Sequence, residues 1–350
     1  MTESSVRNLL VLGGHGVTGR AIVDVAIESP IWRVMTGSRK PQAIGAASHV
    51  GIDLLDRANA MATLAGLHDV SAVAFCAYVP ALEGEGDPNI TMLTNMLDGL
   101  GARPKPVDRI ILMGGGKSYG PHLGPYRTPA RESDPRVMSP IFYDKQQDLL
   151  TTWCLKMGVD WTILRPDAVF GPSLGSPMNM ITSLAVFAAI SRELGMKLRF
   201  PGNDSGWNGL FQATDAGLLG RSALWAFHSD SSKGEVFNVI NGDQFRWRHL
   251  WPELARFFDM GTDEPQPMPL AQQMADKGPI WDAIVTKYGL VPTPLDRLVS
   301  WPFVDMLLSV PFDLVQSTIK IRKAGFHDCI DTNDSLSTQL GRLRSMRLIP

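Results

Sequence analysis

Cysteine is scarce in this 350-residue chain, with only Cys76, Cys154 and Cys329 present. Three residues at those separations build neither a disulfide framework nor a metal-ligand spacing. No metal site is expected, and all three read as buried thiols. Charge of either sign is modest: 19% of residues are charged and they nearly cancel, to −2. That excludes the basic footprint of a nucleic-acid binder and any strong attraction to a membrane surface. Long apolar runs are missing as well. The longest near-continuous one, Leu184–Ile190, is too short to span a bilayer and reads as part of an amphipathic helix. The opening Met-Thr-Glu-Ser-Ser has no basic stretch followed by an apolar one, so no secretory signal is expected and the chain is placed in the cytoplasm. Apolar residues are plentiful at 44%, enough to bury a sizeable core in one large domain or two closely packed ones.

Residues 8–19 read Asn-Leu-Leu-Val-Leu-Gly-Gly-His-Gly-Val-Thr-Gly, and Arg20–Glu28 continues as an amphipathic helix pattern. A buried-type strand that ends in glycines and passes straight into a helix is what dinucleotide binding requires. Gly13 lets the chain turn sharply, Gly16 lets backbone N–H groups approach a pyrophosphate, and Gly19 lets the helix pack close to the strand. His15 and Val17 complete the turn, and the positive end of the helix faces the phosphates.

Strands and helices alternate through the first half. Strands are predicted at Leu9–Gly13, Arg33–Gly37, Gly51–Leu54, Ala72–Ala77, Arg109–Met113 and Trp161–Leu164, with helices at Thr18–Glu28, Asp56–Leu67, Asn89–Gly101 and Tyr143–Gly158. The pattern predicts an α/β fold, a Rossmann-type doubly wound parallel sheet. Residues 121–140, rich in Pro, Gly, Arg and Asp, read as a long loop, of a length that is usually functional or mobile. After Gly171 helical patterns dominate: Met178–Gly195, Ala213–His228, Arg246–Phe258, Leu270–Tyr288, Leu295–Leu308 and Val315–Ala324, with one strand at Glu235–Ile240. We therefore expect a dinucleotide-binding domain over 1–172, with 213–240 returning to it. A smaller, mostly helical C-terminal substrate lobe would comprise 173–212 and 241–350, with the ligand lying between the lobes at the carboxyl ends of the strands.

The end of the second strand selects the cofactor. An NAD site places an acid there for the ribose hydroxyls, whereas Ser38, Arg39 and Lys40 offer a hydroxyl and two cations suited to a 2′-phosphate. NADPH is the expected cofactor. Asp53, followed by Leu54 at the end of the third strand, reads either as an acceptor for the adenine amino group or as a plain loop acid. In short-chain dehydrogenase/reductase chemistry a tyrosine hydroxyl supports the substrate oxygen and a lysine four residues later lowers its pKa. Tyr143 has the right position, but Tyr143-Asp-Lys-Gln-Gln147 puts glutamine at +4. Lys145, at +2, points to the other side of the helix. A cation does occur after the fifth strand, in Met113-Gly-Gly-Gly-Lys-Ser-Tyr-Gly-Pro121, where Gly114 and its neighbours leave room for Lys117 to reach inward.

These residues carry a resemblance. Gly-Gly-Lys-Ser-Tyr-Gly-Pro (115–121) and Ile-Phe-Tyr-Asp-Lys-Gln-Gln-Asp (141–148) resemble the Thr-Gly-x-Lys-His-Tyr-x-Gly-Pro and Asn-Phe-Tyr-Tyr-x-x-Glu-Asp patterns of the progesterone 5β-reductase/iridoid synthase-like family. That family is an atypical branch of the extended short-chain dehydrogenases/reductases. Further matches are Arg165-Pro166 with Phe170-Gly171, Ser176-Pro-Met-Asn179, Phe200-Pro-Gly202 with Trp207, Asn241-Gly-Asp243 and Leu348-Ile-Pro350, so the likeness covers nearly the whole chain. The resemblance implies that Tyr143 and Lys117 are the catalytic pair. The reaction it implies is NADPH-dependent 1,4-reduction of a C=C bond conjugated to a carbonyl. It also implies that Ala77, Pro166 and Val169 line the nicotinamide side, and that Ser176, Met178 and Asn179 open the helical lobe facing it, with plain core an equal reading of Met178. Tyr78, Lys117, Tyr143 and Met178 would meet substrate. Departures surround the pocket: Ile141 replaces Asn, Asp144 replaces Tyr, Gln147 replaces Glu, Ser118 replaces His, and Tyr78 stands where the family carries Trp. The expected partner is a small enone or enal and, in a homodimer, a second copy of the chain. The same pair could serve carbonyl 1,2-reduction, and a non-catalytic NADP-sensing protein would keep the glycine turn alone. A nucleotide-sugar epimerase or dehydratase would carry its lysine at +4.

Overall fold

Seven parallel strands form the centre of the computed structural model, which describes residues 6–39, 41–80, 86–139, 141–174 and 176–350. The first half runs β1 (Arg7–Leu12), α1 (Val17–Ala26), β2 (Trp32–Ser38), β3 (Ser48–Gly51), α2 (Arg57–Gly66), β4 (Val70–Phe75), α3 (Pro88–Gly101), β5 (Arg109–Met113), α4 (Phe142–Met157) and β6 (Asp160–Pro166). It continues with β7 (Val169–Phe170), α5 (Met180–Glu193), α6 (Asp204–Asn208), β8 (Thr214–Asp215), α7 (Ala216–His228) and β9 (Glu235–Val239). Seven helices of the described residues then close the molecule: α8 (Trp247–Phe257), α9 (Leu270–Gln273), α10 (Gly278–Tyr288), α11 (Leu295–Leu298), α12 (Trp301–Leu308), α13 (Ile319–Lys323) and α14 (Thr332–Ser345). The sheet order is β3-β2-β1-β4-β5-β6-β9, and β7 and β8 form a separate two-stranded pair. The order reverses between β1 and β4, which puts a binding crevice beyond their carboxyl ends.

The strands read as apolar runs because both sheet faces are covered. Leu9 and Val11 point into one core with α1 and α7; Leu10 and Leu12 point into the other with α2, α3 and α4. A third core fills the helical lobe around Phe200, Trp247, Trp251, Phe258 and Trp281. At its centre lies α5, buried around nearly its whole circumference. The amphipathic pattern expected for Leu184–Ile190 is thus corrected: other helices cover every side of α5.

Other expectations shift for physical reasons. The third strand lies at Ser48–Gly51, three residues before the apolar 51–54 stretch. Ile52 and Leu54 do enter the core, but the Leu54 carbonyl is taken by Asn95 at 2.8 Å, and Asp56 caps α2. The 270–288 pattern breaks into two helices before Gly278-Pro279, and 295–308 breaks before Trp301-Pro302; each proline sits in the first turn, where its missing N–H is not needed. β9 pairs with β6, and residues of α7 pack under the sheet. So do Ile321 and Phe326, although the sequence pattern groups all of 241–350 with the lobe. The sequence pattern offers no helix after Ala324, yet α14 runs fourteen residues. Its Ser335 Oγ and Gln339 Nε2 donate to Asp215 Oδ2 at 2.8 and 2.7 Å, and its Arg342 pairs with Asp24 of α1. Among the thiols, Cys76 and Cys154 are buried and Cys329 is exposed, against the expectation of three buried ones. Burial pushes Cys76 and Cys154 up to about 12, so neither is a thiolate at neutral pH. No helix of the described residues is long and apolar enough to cross a membrane.

Candidate active site

The turn after β1 is shaped by missing side chains. Gly13 has φ +83°, and a Cβ there would fall 2.6 Å from the backbone nitrogen of Ala77, at the end of β4. A Cβ on Gly19 would collide with the Gly13 carbonyl oxygen. Turn, helix and neighbouring strand therefore meet as only glycine permits. Val17 reaches across to Gly171, at 3.6 Å from where that residue's Cβ would be. The helix α1 starts at Gly16 with no side-chain cap, whereas α2 and α7 are capped by Asp56 and Asp215. Its first N–H groups are left for an anion at the positive end of the helix dipole. His15 Nε2 is buried with no hydrogen-bond partner among the described residues. Burial, then the nearby His49 and Arg20, hold the His15 pKa below its ordinary value, so the ring is neutral at pH 7. A glycine cradle, an uncapped helix start and an orphaned ring nitrogen fit a dinucleotide pyrophosphate.

At the end of β2, Ser38 Oγ lies 3.0 Å from His49 Nε2, and Arg39 follows, exposed to solvent. Lys40 lies outside the described residues. His49 escaped the sequence reading because the third strand was expected further along. Asp53 Oδ1 accepts from the Leu55 N–H at 3.0 Å. Leu54 is a different case: its side chain is in the core and its carbonyl is engaged by Asn95, so any contact to a cofactor must come from its N–H.

At the carboxyl end of β5, Tyr143 packs onto a bare backbone. Its Oη is 2.9 Å from where a Gly115 Cβ would sit, so the glycine makes room for the phenol. Lys117 follows two residues later in a 3-10 turn, Gly116–Tyr119, half-buried. Lys145 is exposed on the outer side of α4. The +4 residue, Gln147, accepts from Arg165 Nη2 at 3.2 Å; Arg165 in turn lies 5.1 Å over the Tyr119 ring and packs against Gly114. A cation thus stands beside the +4 position, delivered by β6 and not by the helix. The sequence marks Arg165 only as part of the Arg165-Pro166 match, and its place beside Gln147 is not visible there because 18 residues separate the two. Tyr78 sits 5.7 Å from Phe142, whose ring is 4.1 Å from Tyr143, which brings the end of β4 to the side of Tyr143. The loop over this region is tied to α4, since Arg136 donates to both Asp148 oxygens at 2.8 and 2.7 Å.

Pro166 ends β6 and Val169 begins the β7 pair, both at the same edge. Ser176 and Met178 are half-buried just beyond it. Asn179 differs from the expectation: its amide donates to the Gly171 carbonyl at 2.8 Å and Ser173 Oγ at 3.0 Å, and it accepts from the Thr182 N–H at 3.2 Å as the cap of α5. Both its amide hydrogens are spent within the protein. A cavity of about 570 Å³ opens nearby in the lobe, lined by Pro177, Met274, Val299, Trp301 and Pro302 among others, but neither Tyr143 nor Lys117 lines it.

The family described as a PRISE-like Rossmann-fold domain matches residues 9–350. An (S)-8-oxocitronellyl enol synthase of Camptotheca acuminata is 31% identical, over 97% of this chain and 93% of the relative. A 3-oxo-Δ(4,5)-steroid 5-β-reductase of Arabidopsis thaliana is 29% identical, over 97% and 92%. Among solved structures, the UDP-glucose 4-epimerase of Thermotoga maritima superposes with a TM-score of 0.67 at 16% identity, covering 97% of this chain and 99% of that one. The UDP-glucuronic acid 4-epimerase of Bacillus cereus gives 0.68 at 13%, with the same coverage. These two likenesses establish the fold alone.

Proposed function

We propose that this chain, which belongs to the PRISE-like Rossmann-fold family, is an NADPH-dependent reductase of C=C bonds conjugated to a carbonyl. The observation that carries the reading is the Tyr143 hydroxyl seated on Gly115, with Lys117 two residues further along the same turn. One relative is named for a 3-oxo-Δ(4,5)-steroid, in which a C=C bond adjoins a carbonyl. The cofactor's pyrophosphate would be held by the 13–19 turn and α1, its 2′-phosphate by Ser38, Arg39 and His49, and its adenine by Asp53. When bound, the nicotinamide supplies a hydride for the β-carbon.

The chain's own residues then deal with the charge. Hydride addition at the β-carbon pushes an electron pair through the conjugated system onto the carbonyl oxygen. Tyr143 donates a hydrogen bond to that oxygen, and the Lys117 ammonium stabilises the same negative charge. One well-placed donor of this kind contributes roughly 3–4 kcal/mol to the transition state. Water protonates the α-carbon, completing the addition of one hydride and one proton. Gln147 carries no charge, so it contributes nothing to this stabilisation directly; Lys117 takes the part that a +4 lysine plays elsewhere.

The test is cofactor oxidation on a panel of cyclic enones, linear enals and steroid enones, followed by product identification. A saturated carbonyl product is expected. An allylic alcohol would mean 1,2-reduction, and no oxidation on any member would leave a cofactor-binding protein without this chemistry.

A further inference from the structure

Asp167, the first residue past β6, carries the most unusual carboxyl near the site. Its Oδ1 accepts from the Ala168 N–H at 3.0 Å and its Oδ2 from Gln316 Nε2 at 3.1 Å. The backbone bends sharply here: Ala168 has φ +39°, and the Asp167 N–H is anchored to Thr214 Oγ1 at 3.1 Å. Gly116, next to Lys117, provides the space. A Cβ there would lie 2.7 Å from Asp167 Oδ2 and would collide with Gln316 Nε2. Part of the Asp167 surface remains open. The cluster therefore borders the turn that bears Lys117, where β6, the start of β8 and the 313–318 segment meet.

The two amides beside it are almost fully buried, Gln212 at 1% exposure and Gln316 at 3%. Their orientations are fixed by their neighbours. Gln212 Oε1 accepts from the Gln316 backbone N–H at 2.8 Å, so its Nε2 is the group left over. Gln316 Nε2 is spent on Asp167, so its Oε1 is left over. Neither Gln212 Nε2 nor Gln316 Oε1 has a hydrogen-bond partner among the described residues. The Gln212 amide also lowers the Asp167 pKa by its proximity, without reaching hydrogen-bonding geometry. One buried donor and one buried acceptor, flanking one carboxyl, are thus unmatched, and unmatched buried polar atoms call for a partner.

We propose that Asp167, Gln212 and Gln316 form a subsite for a hydroxyl group of the substrate, separate from the carbonyl oxygen held by Tyr143. A hydroxyl both donates and accepts, so it answers Gln316 Oε1 and Gln212 Nε2 together. A carbonyl only accepts and leaves Gln316 unmatched; an ammonium only donates and leaves Gln212 unmatched. A carboxylate meets the Asp167 oxygens. The substrate class is therefore a hydroxylated enone or enal. The assignment rests on the reductase reading above and adds a second recognition point to it.

The experiment uses the full chain with NADPH and matched pairs of enones, each with and without a hydroxyl, the hydroxyl placed at successive ring or chain positions. For at least one pair, kcat/KM should favour the hydroxylated member by about tenfold, as one net hydrogen bond allows. In Gln316→Met and Gln212→Met that ratio should fall towards one. A ratio near one for every pair in the unmodified protein overturns the subsite, as does a preference that survives both substitutions. If no enone is reduced, the reductase reading fails on its own. The subsite is then read from thermal shifts with the same pairs: a larger rise for the hydroxylated member supports it, and equal rises overturn it. The unmodified protein suffices for that arm should either variant fail to fold.

Discussion

Replacing Asp167 with asparagine should stabilise the protein at neutral pH. Burial pushes this carboxyl from its ordinary 3.8 up to about 6, and the hydrogen bonds from Ala168 and Gln316, with the nearby Gln212 amide, offset that only in part. The folded carboxyl holds its proton to a higher pH than the unfolded one, so stability falls as pH rises between about 4 and 6. At 1.36 kcal/mol per pH unit, the loss is about 3 kcal/mol above pH 7. This is an upper figure, since part of the residue is open to solvent. Asparagine removes the charge and keeps the shape. The Gln316 amide can also turn over, so that its Oε1, unmatched in the native chain, accepts from the new amide. Urea unfolding, followed by the fluorescence of the nine tryptophans, should show Asp167→Asn more stable by about 1–3 kcal/mol at pH 7.5, shrinking to about a third of that at pH 4.5. A variant less stable than the native chain by the same amount at both pH values would refute the argument. It would mean that the carboxyl is structurally required and its charge carries no cost.

Tyr143→Phe should lower kcat strongly with little change in NADPH affinity, because the bond it removes forms fully only near the transition state. Lys117→Met should also lower kcat, the double variant should lose little more than the worse single one, and exposed Lys145→Met should retain the native rate; a normal Lys117→Met beside a dead Lys145→Met reverses the assignment. Arg39→Ala should weaken NADPH by about 1.5–3 kcal/mol, the worth of a charge-assisted contact, and leave NADH unchanged; equal kcat/KM for both cofactors in the native enzyme would remove the basis for this. Tyr78→Ala, at a residue 46% exposed beside Phe142, should reorder preferences among enones more than it changes cofactor binding, and a uniform loss across substrates would count against a pocket role.

The Rossmann half was legible because its signals are local. A strand buried on both faces must be apolar throughout, and the glycines of the 13–19 turn answer to backbone collisions that allow no other residue. Legibility ended where a partner is distant or a pattern is sparse. The helix α14 buries only Leu336, Leu340 and Leu343 among its larger apolar side chains, in an otherwise polar stretch, so its stripe is too thin to stand out. Asn179 sits in a motif that suggests a ligand contact, yet its amide is consumed by capping. Arg165 and Gln316 could not have been placed beside Gln147 and Asp167 from spacing, because 18 and 149 residues separate those pairs. His49 was hidden by a three-residue shift in strand position.

The tie between α1 and α14 has a temporal consequence. Asp24, one turn beyond the glycine turn, pairs with Arg20 at 2.5 Å and with Arg342, 318 residues away in sequence. Asp215 likewise waits for Ser335 and Gln339. During synthesis the first helix therefore emerges about 300 residues before its last anchor, which at ~5–20 residues per second is roughly 15–60 seconds. Throughout that interval the glycine turn has its sequence but not its full support. Nascent chains stopped ahead of residue 332 should hold nucleotide poorly and stay open to protease at α1, and cofactor capture becomes an event that follows the synthesis of α14.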